Sequence, residues 1–166
     1  MTPQRFAKLV SAVLHPLLTP ALAFLLLIGA QPALPWSRRL LLISVAWLFA
    51  VGLIVRSIGW LRRRGVIESA DILVREQRLN PLLVGAVSYG LGFGALRLLD
   101  APALVQGLMF CYATNTLLVV LITRWWKVSV HTTAASGPLV PLIMRFGVVA
   151  APLLLLVPLV GCRGWR

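Results

Sequence analysis

The sequence predicts an all-α membrane protein, a polytopic transmembrane bundle of about six helical segments in one domain of 166 residues. Two observations predict this class. Hydrophobic residues make up 60% of the chain and its mean hydropathy is +0.93, whereas soluble domains average roughly 45–50% apolar residues. The apolar residues also gather in runs close to the roughly 20 residues that a helix needs to cross a bilayer.

Four apolar runs are predicted to span the membrane: residues 9–28, 40–58, 81–99 and 103–122. The first follows two basic residues, as a signal peptide does, but its length and the lack of a small-residue cleavage site favour a retained span. Arg145-Phe146-Gly147 divides the last apolar region into arms of 131–144 and 147–161. Each arm reaches only about 21 Å as a helix, which favours a short helical pair over the alternative of one kinked span. Four glycines in the third run predict close approach of another helix: Gly85, Gly90, Gly92 and Gly94.

The formal charge of +12 rests on basic residues that cluster between the apolar runs. This pattern indicates loops at an anionic membrane surface rather than a nucleic-acid partner, because no basic stripe carries interleaved aromatic residues. One side of the predicted topology receives Arg5, Lys8, Arg62, Arg63, Arg64, Arg75, Arg78, Arg124, Lys127, Arg163 and Arg166. The other receives Arg38, Arg39, Arg97 and Arg145. The positive-inside rule therefore predicts an integral membrane protein with the first side in the cytoplasm.

A first polar constellation lies in the longest polar connection, residues 62–81. Arg75 and Arg78 are three residues apart, so they share one face of a helical turn. Two guanidinium groups on one face suit the oxygens of a phosphate. The alternative is a solvated turn in which Asp71 and Glu76 pair with these arginines.

A second constellation lies in the stretch WWKVSVHTTAASG, residues 125–137. Ser129 is a plausible N-cap for the apolar helix that follows, and backbone N–H groups at a helix start attract anions. Lys127 adds a positive charge, and His131 can donate a proton to a leaving oxygen. The alternative is an interfacial anchor made by the two tryptophans and the lysine, followed by a capped helix. Because two predicted spans separate the two constellations, both are expected at one membrane face.

At these residues the chain resembles the type 2 phosphatidic acid phosphatase superfamily, which includes the vanadium haloperoxidases. Lys127-Val128-Ser129-Val130-His131 is similar to the family's Pro-Ser-Gly-His motif, with valine at the proline and glycine positions. The segment from Asp71 to Pro81 is similar to a divergent form of its Lys-x6-Arg-Pro motif, without the lysine. His15-Pro16 also resembles a bacterial branch.

The resemblance implies metal-independent and cofactor-independent hydrolysis of a lipid phosphate, such as phosphatidic acid or a prenyl diphosphate. It implies phosphate binding by Arg75, Arg78, Lys127 and Ser129, and a general-acid role for His131. The family's third motif, which supplies the nucleophilic histidine, is missing, so we expect a truncated or catalytically incomplete member. The alternative is a non-enzymatic membrane protein, a scaffold or transporter-like subunit, with intramembrane polar residues along a path: Arg56, Tyr112, Thr114 and Asn115.

Overall fold

The structure is a computed structural model that describes residues 18–65, 75–123, 125 and 137–147, and of residues 75–78 only the backbone. These ranges form five helices and contain no strand: α1 (Leu18–Gly29), α2 (Trp36–Arg63), α3 (Arg75–Leu98), α4 (Ala103–Thr123) and α5 (Leu139–Phe146). The predicted all-α class is thus confirmed for the described part of the chain. The count of six segments stays a prediction, because the remaining residues lie outside these ranges.

Three of the helices are long and apolar enough to cross a membrane: Trp36–Arg63, Leu79–Leu98 and Ala103–Thr123. Leucines and valines on their outer faces are exposed, for example Val87 on α3 and Leu118 on α4. Exposed apolar surface of this extent is unfavourable in water but suits contact with lipid hydrocarbon. These features agree with an integral membrane protein.

The helices extend beyond the apolar runs from which the spans were predicted. The run 40–58 lies inside α2, which begins at Trp36 and ends at Arg63. The run 81–99 lies mostly in α3, which begins six residues before Pro81. A helix can continue through polar residues at a membrane boundary, because its backbone hydrogen bonds form within the helix and do not depend on the side chains. The polar connection between these spans is therefore shorter than 62–81.

The last described helix, α5, ends at the point where the sequence predicts a break. Gly147 follows Phe146 with a φ of 66°, a left-handed conformation that glycine adopts without steric cost. The described helix begins at Leu139. Residues 131–136 of the predicted first arm, and residues 148–161 of the second, lie outside the described ranges.

The core lies where α1, α2, α3 and α4 meet. In α1 the buried residues follow the three- and four-residue steps of an amphipathic helix: Pro20, Ala23, Phe24, Leu27 and Ile28. In α2 the buried residues recur at steps of four: Leu42, Ala46, Ala50 and Ile54. Steps of four drift around a helix with 3.6 residues per turn. A π-helical turn at Leu48–Gly52 adds one residue and keeps these side chains on one face.

A short turn joins α3 to α4 and makes them an antiparallel hairpin. The amide of Ala101 donates to the carbonyl of Leu96 at 3.0 Å, and the amide of Asp100 donates to that of Arg97 at 3.1 Å. Asp100 has a φ of 47°. This pattern is a Schellman motif in which aspartate takes the left-handed position that glycine usually occupies.

Candidate functional site

Two of the five residues predicted to form the phosphate site belong to a described helix. Arg75 and Arg78 lie in the first turn of α3, where the backbone is described. Lys127, Ser129 and His131 lie outside the described residues. The structure therefore describes the backbone of the constellation with Arg75 and Arg78. The constellation with Lys127, Ser129 and His131 comes after α4 in the sequence.

Contacts between α3 and α4 fix the register of the hairpin. A Cβ on Gly85 would lie 3.7 Å from Cγ2 of Thr116. The Tyr89 and Tyr112 rings stack with their centroids 5.2 Å apart, and a Cβ on Gly92 would lie 3.1 Å from Cε of Met109. Residues nearer the start of α3 therefore contact residues nearer the end of α4, with the same number of residues between successive contacts on both helices. The first turn of α3 and the last turn of α4 consequently lie at the same end of the hairpin.

The end of α2 lies at this same end of the bundle. A Cβ on Gly85 would lie 3.9 Å from Cδ1 of Ile54, and the side chain of Arg38 contacts the carbonyl of Leu99, so α2 runs antiparallel to α3. Arg62 and Arg63 occupy the last turn of α2. Basic side chains are stabilising there because the C-terminal end of a helix carries a partial negative charge.

Arg64 follows α2 and lies over the Trp60 ring, with its guanidinium carbon 4.1 Å from the ring centroid. This cation–π contact holds a positive charge beside an exposed tryptophan, a combination typical of a membrane–water interface. We call this end of the bundle, with Arg62, Arg63 and Arg64 and the start of α3, the triple-arginine face.

Three arginines at the opposite face are bonded to backbone carbonyls. Arg38 Nη2 donates to the Leu99 carbonyl at 2.8 Å, Arg39 Nε donates to the Leu34 carbonyl at 2.9 Å, and Arg145 Nη2 donates to the carbonyl of Ala30. The Ala30 and Leu99 carbonyls directly follow the ends of α1 and α3, where carbonyl groups have no partner within the helix, whereas Leu34 lies in the connection before α2. From the sequence alone, these arginines contribute only to the prediction of topology. Their capping role depends on contacts as distant as the 115 residues between Ala30 and Arg145.

The polar residues of the non-enzymatic alternative have different surroundings in the described helices. Thr114 donates its hydroxyl to carbonyls of its own helix, at 3.0 Å from the Phe110 oxygen. Tyr112 is buried against Tyr89, whereas Arg56 is exposed. The alternative of a scaffold or transporter-like subunit stays a prediction.

No protein-family model, no curated protein and no solved structure matches this chain. The resemblance to the phosphatidic acid phosphatase superfamily accordingly stays a prediction from its short motifs. The geometry of the helices and the distribution of charge provide the physical basis for a function.

Proposed function

We propose that this chain is an inner-membrane protein that binds the phosphate of a lipid phosphate or prenyl diphosphate at the triple-arginine face. Arg75, Arg78, Lys127 and Ser129 hold the phosphoryl oxygens, and His131 stands beside the oxygen that links phosphate to lipid. The face is cytoplasmic. This arrangement is that of a phosphatase-family protein which retains its binding residues and its acid.

The observation that carries the proposal is the register of the α3–α4 hairpin. Thr116 lies beside Gly85, so the same register pairs the turn that contains Arg78 with the end of α4 at Thr123. Lys127 follows that end by four residues. The span of a few residues between α4 and Lys127 keeps the second constellation within reach of the first.

The charge balance at this face supports an anionic ligand. In sequence, residues 62–78 carry five arginines, Arg62, Arg63, Arg64, Arg75 and Arg78, against the three carboxylates of Glu68, Asp71 and Glu76. Arginine forks bind phosphate through two parallel N–H···O bonds, which gives direction as well as charge. A lipid phosphate reaches these groups at the membrane boundary while its chains remain in the hydrocarbon.

The histidine content of this chain favours phosphate binding over phosphate hydrolysis. Its two histidines are His15 and His131, and the proposed role of His131 is to protonate the leaving oxygen. Attack on phosphorus needs a separate nucleophile. The 166 residues therefore provide one half of a two-histidine mechanism, and we expect phosphate release at background levels.

A lipid-binding assay on the purified full-length chain tests the proposal. Phosphatidic acid is expected to be retained in preference to phosphatidylcholine with the same acyl chains. Replacing both arginines, Arg75→Gln with Arg78→Gln, is expected to weaken phosphatidic acid binding by about tenfold or more, because two charge-assisted bonds are lost. Equal retention of the two lipids would contradict the proposal.

The matched control is Arg63→Gln, which removes an exposed arginine from the same face outside the two constellations. We expect this change to weaken binding by no more than about fivefold, the roughly 1 kcal/mol that one solvated arginine contributes to the attraction of an anionic headgroup. If Arg63→Gln weakened binding as much as the double change, general surface charge and not a phosphate site would explain the binding. Phosphate release that persists in His131→Ala would remove the assigned role of His131.

A further inference from the structure

A groove opens at the face opposite the triple-arginine face, between the start of α2 and the turn that joins α3 to α4. Its volume is about 450 Å³. Ser37, Arg38 and Asp100 form its polar rim, and leucines form the rest of its lining, among them Leu41, Leu42 and Leu98. The groove lies at helix ends, which is where the boundary between lipid headgroups and hydrocarbon falls for spanning helices.

The rim places one positive and one negative side chain in the same groove. Arg38 gives one hydrogen bond to the carbonyl of Leu99, and its remaining N–H groups bond to no other residue in the described ranges. Asp100 is exposed and takes part in no ion pair with a described residue. Two opposite charges that do not neutralise each other are available to a ligand that carries both.

The walls of the groove are apolar and open toward the lipid. Leu98 is 87% exposed and Leu41 is 50% exposed, while Leu42 is fully buried beneath them. Trp36, the first residue of α2, is also exposed, as is typical of tryptophan at a membrane interface. A ligand at the rim therefore has hydrocarbon-like surface directly beside its polar end.

We propose that this groove binds a zwitterionic phospholipid with a primary ammonium group, that is, a phosphatidylethanolamine. The guanidinium of Arg38 binds the phosphate, and the carboxylate of Asp100 accepts hydrogen bonds from the ammonium. The first carbon atoms of the acyl chains pack on Leu41 and Leu98. This site uses none of the residues of the proposed phosphate site and lies in the opposite leaflet.

The headgroup chemistry separates this lipid from the other common ones. Phosphatidylglycerol offers a phosphate to Arg38 but leaves the carboxylate of Asp100 without a cation. Phosphatidylcholine has a quaternary ammonium, which carries a charge but has no N–H to donate. Of these three headgroups, ethanolamine is the one that satisfies both Arg38 and Asp100 with hydrogen bonds.

Native mass spectrometry of the purified full chain, with the three lipids at equal concentration and with identical acyl chains, tests the proposal. Wild-type protein is expected to retain phosphatidylethanolamine about fivefold over each of the other two lipids. Asp100→Asn is expected to abolish that preference, because the amide carries no charge. Arg38→Gln is expected to lower retention of all three lipids. Arg97→Gln, an exposed arginine at the same face outside the groove lining, is expected to change nothing.

We expect these variants to keep the fold. Asparagine tolerates the left-handed backbone of Asp100, and the glutamine amide in place of Arg38 still has a donor for the Leu99 carbonyl. Circular dichroism of each variant checks that the helices remain. Equal retention of phosphatidylethanolamine and phosphatidylglycerol by wild-type protein would overturn the proposal, and so would a preference that survives Asp100→Asn.

Discussion

Gly92 shows how much of this bundle depends on one missing methyl group. A Cβ at this position would lie 2.7 Å from Cβ of Phe49 on α2 and 3.1 Å from Cε of Met109 on α4. The methionine tip can move, but the Phe49 Cβ is fixed to its backbone. We expect Gly92→Ala to lower the free energy of unfolding by about 1–3 kcal/mol, as overpacking of a tight core does. Unfolding in mixed micelles, followed by circular dichroism, measures this loss.

Gly90 provides a matched control two residues away on the same helix. A Cβ there would meet no atom within 4 Å. Gly90→Ala is expected to leave the stability unchanged or to raise it by up to about 1 kcal/mol, because alanine is the better helix former. A loss of stability in Gly90→Ala equal to that in Gly92→Ala would show that helix packing does not explain the effect. Of the four glycines from which close approach is predicted, two thus have contacts that a Cβ would meet, Gly85 and Gly92.

At the scale of elements, the π-helical turn of α2 is bonded to α3 through one hydroxyl. Leu53 donates its amide to the carbonyl of Leu48, five residues back, instead of to that of Phe49. The Phe49 carbonyl accepts a hydrogen bond from the Ser88 hydroxyl at 2.5 Å. Ser88 and Gly92 are one turn apart on α3. The small side chain of Ser88 and the lack of a side chain at Gly92 together leave room for the π-helical turn of α2.

Ser88→Ala is expected to destabilise the bundle by about 0.6 kcal/mol and by at most about 1.7 kcal/mol, the average and the maximum measured for hydrogen bonds between membrane helices. The loss arises because the Phe49 carbonyl keeps no side-chain partner in an apolar interior. Ser57→Ala is the control, since the Ser57 hydroxyl bonds to the Ile54 carbonyl of its own helix at 2.8 Å. Unfolding experiments that find the two variants equally stable would contradict a specific role for Ser88.

The sequence predicts these elements unevenly, for reasons that lie in the range of the interactions. Apolar runs locate α2, α3 and α4, because crossing a membrane requires a continuous apolar stretch. The π-turn is not predictable from α2 alone, since its hydrogen-bond partner Ser88 lies 39 residues from Phe49. The turn at Asp100 is similarly hidden, because a left-handed cap usually carries glycine.

The two candidate sites also differ in how far the sequence predicts them. Arg75 and Arg78 attract attention as a pair at helical spacing, so the proposed phosphate site starts from the sequence. The groove at Arg38 and Asp100 does not, because these residues are 62 positions apart and only the antiparallel packing of α2 and α3 brings them together. A site made by two helix ends is visible only once the register between the helices is known.

At the scale of the whole molecule, basic residues at the two faces have different roles. At one face, Arg38, Arg39 and Arg145 donate hydrogen bonds to backbone carbonyls, while Arg97 is exposed. At the other, Arg62, Arg63 and Arg64 are exposed, and the guanidinium of Arg64 lies over the Trp60 ring. Solvated arginines interact with anionic lipid headgroups, worth about 1 kcal/mol each, which supports the proposed cytoplasmic orientation of the triple-arginine face.

This orientation predicts the accessibility of single cysteines in a variant without Cys111 and Cys162. Ala103→Cys, at the exposed start of α4, is expected to react with a membrane-impermeant maleimide in intact bacterial cells. Arg63→Cys is expected to react only after permeabilisation, because the remaining arginines keep its face in the cytoplasm. Both cysteines should react in solubilised protein, which controls for exposure. The reverse pattern in intact cells would show that the triple-arginine face, and the proposed phosphate site with it, lies outside.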